Sequence, residues 1–249
     1  MNATVTSPAT PQAPSTAPAV ADQLFDHYAA TYDVVLNNAL APTGEDKNYF
    51  ARTRVRFLRD YLSRVGALPN RAMDFGCGIG SAATHLLEAF DLQRLLGVDV
   101  SSQSIHAANE HFADHRVRFH EIADFTPDAS FDLVYCSSVF HHIPLDQRRE
   151  SIQFISDSLR PGGILSLWEH NPWNPGTRYA MYRCEFDQDA ITLTPPSARR
   201  LVQQAGLEII RTDFLFIFPR FLKGLRWIEP RVAGWPVGGQ YQVLARKPV

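Results

Sequence analysis

Three cysteines in 249 residues, Cys77, Cys136 and Cys184, are too few and too widely spaced for a disulfide framework or a paired zinc site. Reduced thiols, and with them a cytoplasmic protein, are expected. Excess basic charge is missing too: 24 Lys and Arg against 26 Asp and Glu leave a formal net charge of −2, so no positive field gathers nucleic acid. No apolar run is long enough to span a bilayer. Residues 1–21 lack any charged side chain and are mostly Ala, Thr, Pro and Ser. Prolines interrupt every apolar stretch there, so a disordered tail is expected and a secretory leader is not. The remaining chain, 45% hydrophobic overall, is long enough to bury one substantial core.

The most informative residues are Asp74-Phe75-Gly76-Cys77-Gly78-Ile79-Gly80, followed by Gly97-Val98-Asp99-Val100-Ser101. Alternate glycines let the backbone turn sharply and bring its N–H groups close to a ligand. Ser81 to Phe90 then reads as a helix, with Leu86, Leu87 and Phe90 on one face and its N-terminus toward the same loop, where an anion is stabilised. Asp99 closes the apolar run Leu95-Leu96-Gly97-Val98 and stands where nucleotide-binding α/β folds place a ribose-binding acid. An ionised carboxylate has only acceptors, which suits two vicinal hydroxyls. A dinucleotide fingerprint wants a third glycine or alanine where this chain has Ser81.

Residues 22–68 read as helical in at least two pieces, broken around 37–46 by Pro42 and Gly44. From Arg71, strands at Ala72–Phe75, Leu95–Val98, Val117–Ile122, Leu133–Tyr135 and Ile164–Trp168 alternate with helices at Ser81–Phe90, Ser102–Ala113 and Leu145–Leu159, the last preceded by Pro144. Such alternation predicts a parallel sheet covered on both faces, with the ligand beyond the carboxyl ends of the strands. Asn171-Pro172-Trp173-Asn174-Pro175-Gly176 is expected to continue neither strand nor helix and to open an excursion reaching Ala190. A helix over Pro196–Ala205, ended by Gly206, and strands at Leu207–Phe218 and Gln240–Ala245 complete the chain.

The G-x-G-x-G spacing after Asp74 resembles the first motif of the class I S-adenosylmethionine-dependent methyltransferases. Further landmarks follow in order: Asp99, the pair Asp124-Phe125, the strand Phe131 to Ser138, and the turn Leu159-Arg160-Pro161-Gly162-Gly163. They cover Arg71 to about His170. The resemblance implies a Rossmann-like α/β fold with a seven-stranded, mostly parallel sheet, helices on both faces and the last strand antiparallel. It divides 22–249 into a helical lid (22–70), a cofactor-binding core (71–170), an inserted acceptor-side segment (171–190) and the rest of the sheet (191–249). In the lid, Tyr28-x-x-x-Tyr32-Asp33 looks like the family's aromatic contribution. The implied cofactor is S-adenosylmethionine, leaving as S-adenosylhomocysteine. Gly76, Cys77, Gly78 and Gly80 would supply main-chain contacts, Asp74 would meet the ammonium end, and Asp99 with Val100 the ribose. Asp124 would accept from the adenine amino group while Phe125 lines the ring, and Ser137, in the fourth strand, would be a further cofactor contact. Cys77 is read as a backbone contributor, not a nucleophile.

Methyl transfer needs mainly alignment and exclusion of water, with a base where the acceptor is a hydroxyl or protonated amine. His141, His142, Glu169 and His170 lie just past neighbouring strand ends; His170 is the first choice, and the adjacent pair is expected to point in different directions. Asp187 and Asp189 read as solvated loop charge, and no oxygen-ligand set for Mg²⁺ can be assembled. The run Phe214 to Phe218, near Arg220, Lys223 and Arg226, reads as a buried strand leading to a surface helix, as a wall of an acceptor pocket, or as a peripheral membrane contact. Trp173, Tyr179, Tyr182, Phe186 and Trp227 suggest a small organic or lipid-like acceptor. The competing functions are a nicotinamide-dependent oxidoreductase and a non-catalytic subunit that retains the fold.

Overall fold

The computed structural model describes residues 31–249. The expected tail at 1–21 and Tyr28 lie outside the described residues. Helix α1 (Tyr32–Leu40) runs into a 3₁₀ turn at Ala41–Thr43, where Pro42 and a left-handed Gly44 end it. Helix α2 (Lys47–Arg64) starts afresh because Asp46 caps it, accepting from the Tyr49 amide at 2.8 Å. The break is therefore shorter than the sequence suggests.

Seven strands form one sheet: β1 (Arg71–Phe75), β2 (Arg94–Asp99), β3 (Val117–Glu121), β4 (Phe131–Ser137), β5 (Leu159–His170), β6 (Glu208–Leu215) and β7 (Gln240–Arg246). Their order is β3-β2-β1-β4-β5-β7-β6. β1 pairs in parallel with β2 and β4, β2 with β3, and β4 with β5. β7 runs antiparallel to both neighbours, as expected of the last strand. The turn around Gly162 sits inside β5 as an irregularity: Phe131 pairs with Leu159 but Leu133 with Ile164.

Strand alternation sends successive residues to opposite faces. In β1, Ala72 packs with Val55, Leu58 and Leu62 of α2, with Leu86 of α3 (Ala83–Ala89) and with Ala108 of α4 (Ser102–His111). Met73 and Phe75 pack on the other face with Ile152 and Ile155 of α5 (Arg148–Ser158) and Val202 of α7 (Pro195–Gln204). Both faces are covered, so the hydrophobic effect holds the strand ends in register at one edge of the core.

Three elements differ from expectation. α3 begins at Ala83, because Gly80 to Ala82 are used in a turn in which the Ala83 amide donates to Gly80 O at 3.0 Å. α5 begins at Arg148 because the residues after β4 form successive turns, His142 N to Val139 O at 3.0 Å and Gln147 N to Pro144 O at 3.0 Å. Pro175 and Gly176 do not break the chain: they open helix α6 (Pro175–Arg183), with Asn174 accepting from the Thr177 amide at 3.0 Å. Proline in the first turn is compatible with that cap. No helix among the described residues is long and apolar enough to cross a membrane.

Candidate active site

A cavity of about 660 Å³ opens at the carboxyl ends of β1, β2 and β4. The turn after β1 is fastened to β2: the Gly76 and Cys77 amides donate to Val98 O at 2.8 and 3.1 Å. Gly76 has φ +72°, and a Cβ there would lie 2.3 Å from Val139 Cγ2, so glycine is required on both counts. Asp99 binds the loop together. One carboxylate oxygen accepts from the Gly78 amide at 2.8 Å and the other from the Ser101 amide at 2.9 Å, while Ser101 Oγ caps α4.

Asp74, at the inner end of β1, is buried, and its Oδ2 has no hydrogen-bond partner. Burial, reinforced by the Asp99 charge and only partly countered by Arg54, pushes its carboxyl up to about 7. Arg54 reaches the cavity from the inner face of α2; its Nη1 donates to Gln240 Oε1 at 2.9 Å and its buried Nε is unpartnered. α1 contributes Leu36 and Leu40 and is tied to α2 by an ion pair between Asp33 and Lys47, whose ammonium also donates to Ser81 Oγ at 3.1 Å.

The cofactor-side residues Asp74, Gly76, Cys77, Gly78, Asp99, Val100, Phe125 and Ser137 all line this cavity. Gly80 and Asp124 do not. Gly80 turns toward the rings of Phe112 and Phe119, each 2.9 Å from where its Cβ would be. Asp124 ends a 3₁₀ turn (Ile122–Asp124) that presents Ala123 and Phe125 to the cavity and leaves the acid exposed. Burial pushes the Cys77 thiol well up, which suits a backbone contributor.

The far end of the cavity holds His141, His142, His170, Phe186 and Asp187. Glu169, offered as a base, is instead fully engaged away from the wall. Its Oε1 accepts from the Val139 and Phe140 amides at 3.1 and 2.8 Å, and its Oε2 meets His141 Nδ1 at 2.6 Å. Asp187 overturns the expectation of a solvated loop acid. α6 and the 3₁₀ turn Glu185–Asp187 fold it back over the strand ends, where it is buried. Its Oδ1 lies 3.5 Å from His141 Nε2 and 3.2 Å from His142 Nε2, and its Oδ2 lies 4.0 Å from His170 Nε2. Asp189 stays exposed. The adjacent histidines do not diverge; their ring centroids are 4.1 Å apart because they sit in a turn and share one acid.

Charge is distributed unevenly over this cluster. Burial disfavours His141 as a cation, but Glu169 and Asp187 outweigh it and hold the imidazole at about 10. Burial and the neighbouring His141 charge push His142 down and His170 to about 4. Burial opposes ionisation of Asp187, yet hydrogen bonding to His141 and His142 holds it well below the usual carboxylate range. Among the described residues, the donor atoms of His141, His142 and Asp187 all lie within 4.8 Å of one another, a spacing that one small cation can bridge.

Sequence reading missed Arg54, whose signal was a cation on the inward side of an amphipathic helix, and it misplaced Asp187. Of the aromatics expected in an acceptor pocket, Phe186 lines the cavity; Trp173, Tyr179, Tyr182 and Trp227 face solvent. No residue from Phe214 to Phe218 lines it either. Phe214 and Leu215 are buried in β6, and Phe216 packs on Phe50.

A seven-stranded sheet with one antiparallel strand, its glycine turn and acid at adjoining strand ends, is a Rossmann-like α/β fold. Residues 73–165 match the family described as a methyltransferase domain. It is 31% identical over 130 residues to a trans-aconitate 2-methyltransferase of Azoarcus sp. (strain BH72), covering 51% of this chain and 50% of that one. It is 38% identical over 115 residues to a 27-O-demethylrifamycin SV methyltransferase of Amycolatopsis mediterranei (strain S699), covering 41% of each. The chain thus spans about half or less of the length of these curated relatives. A crystal structure of an S-adenosylmethionine-dependent methyltransferase from Thermotoga maritima superposes with a TM-score of 0.62 at 17% identity, covering 91% of this chain and 99% of that one.

Proposed function

We propose that this protein transfers a methyl group from S-adenosylmethionine to a small organic or lipid-like acceptor. The observation that carries the reading is Asp74: a buried carboxylate oxygen without a partner, beside a glycine turn, at the inner end of a cavity large enough for a nucleoside and a small acceptor. A ligand bearing an ammonium group fits it. When bound, S-adenosylmethionine supplies a sulfonium-borne methyl group already activated toward displacement. Asp74 receives the ammonium, Arg54 the carboxylate, Asp99 the ribose hydroxyls and Phe125 the adenine face. The loop amides around Gly76 and Gly78 set the approach, and Leu36 and Leu40 of α1 exclude water from the same cavity.

At the acceptor end, His170 is placed to take a proton from the acceptor. It closes β5, lines the cavity, and is held between Gln240, 3.5 Å from its Nδ1, and Asp187. His141 and His142 orient that end through Asp187. Two of the chain's relatives act on trans-aconitate and a rifamycin. The wall here presents a carboxylate and half-buried apolar groups, such as Ile143 and Phe154, which favour a hydroxyl-bearing or cationic acceptor over a tricarboxylate. The nicotinamide reading is disfavoured by Ser81 at the third glycine position.

Incubating the protein with methyl-labelled S-adenosylmethionine and cell extract, then identifying the labelled product by mass spectrometry, tests the proposal. Label in a small molecule is expected. Binding of NAD(H) without binding of S-adenosylhomocysteine would contradict it.

A further inference from the structure

The segment from Arg220 to Val237 is unlike the rest of the surface. Its first nine residues form a 3₁₀ helix, Arg220–Ile228, followed by the short helix α8 (Glu229–Val232). Phe221 is 80% exposed, Trp227 64% and Trp235 65%, with Leu222, Leu225 and Val237 also exposed. Single exposed apolar residues are ordinary, but six within eighteen residues, two of them among the four tryptophans of the chain, are not. In a chain of net charge −2, this stretch has four cations, Arg220, Lys223, Arg226 and Arg231, and one acid. That acid, Glu229, is buried and turned inward: it accepts from the Phe216 and Phe218 amides at 3.1 and 3.0 Å. The outer side is therefore aromatic and positive, with no exposed carboxylate of its own.

The inner side is clamped. Arg226 pairs with Glu45 at 2.8 Å and lies over the Tyr49 ring at 4.5 Å, and Arg220 donates to Gly44 O at 3.2 Å. These contacts fix the segment on the start of α2, the helix that supplies Phe50, Ala51 and Arg54 to the cavity wall. The helix is kinked at Leu222; beyond the kink Gly224 and Trp227, three residues apart, share one face, and Phe221 before it is exposed as well.

We propose that this segment seats the protein on an anionic membrane surface. Tryptophan and phenylalanine enter the headgroup boundary, while Lys223 and Arg231 meet anionic headgroups. A second copy is a poor occupant, because a twofold contact would set the same cations against each other. The inference goes beyond methyl transfer and does not depend on it.

Flotation of the full chain with phosphatidylcholine vesicles containing or lacking phosphatidylglycerol tests it. Binding to the anionic vesicles is expected, with a blue shift of tryptophan emission and weakening at high salt. The double variant F221A/W227A should lower partitioning about tenfold or more to both vesicle types, and K223E/R231E should do so about tenfold for the anionic vesicles. A far-ultraviolet circular dichroism spectrum and a urea midpoint like the wild type's show that both variants are folded. Failure of the wild-type chain to float overturns the proposal, as does equal flotation of wild type and F221A/W227A. Self-association that F221A/W227A abolishes, without vesicle binding, assigns the surface to a second copy and also overturns it.

Discussion

Asp74 makes the sharpest demand of any single residue. Its carboxyl is pushed from the ordinary aspartate value of 3.8 up to about 7 in the free protein, so folding favours the protonated form. That contribution to stability is complete in acid and is lost as the pH rises from 3.8 through 7. The ionised form is the one that attracts an ammonium group. Affinity for S-adenosylhomocysteine should therefore fall as the pH drops below 7, by up to about tenfold per unit, and Asp74→Asn should remove that dependence; titrations at several pH values check both. At the other end, His170→Ala should leave S-adenosylhomocysteine affinity unchanged and lower turnover by about a hundredfold. Equal turnover would remove His170 as the base. Residues whose role is local, such as Gly76, Gly78 and Asp99, were legible because their spacing alone requires a turn and an acid at a strand end. Asp187 was not, since its burial depends on how the helix Pro175–Arg183, remote in sequence from His141, folds back.

The elements themselves fall under tighter packing limits. Gly76→Ala would force a left-handed φ on a side chain and drive its Cβ into Val139, costing about 1–3 kcal/mol and measurable as a lower urea midpoint. Glu229→Ala removes the acceptor for two backbone amides at the exit of β6. It should cost about 1–3 kcal/mol in the same assay. Strands were legible at their centres, where apolar runs are continuous, and helix starts were less so. Leu145 did not begin α5 because Glu169 captures the Val139 and Phe140 amides and winds the chain into turns first. The Asn174-Pro175-Gly176 sequence carried a helix signal, an N-cap followed by proline, that its glycine and prolines concealed.

At the scale of the whole molecule, alternation of strands and helices was enough to anticipate a parallel sheet with both faces covered, whereas the seventh strand and the reversal of β7 were legible only through the family resemblance. It also placed the cleft at one edge, since parallel strands bring their carboxyl ends together. The acceptor compartment was not legible, because it is assembled from the turn after β4, the end of β5 and the excursion through α6, segments with no shared periodicity. The account's central claim is that this cleft binds the adenosyl cofactor through Asp99 and the glycine turn. Calorimetric titration with S-adenosylhomocysteine tests it most directly. Saturable one-to-one binding is predicted, weakened about tenfold to a hundredfold in Asp99→Ala, the worth of hydrogen bonds to a charged group. Absence of binding, or equal affinity in the two proteins, would contradict the account.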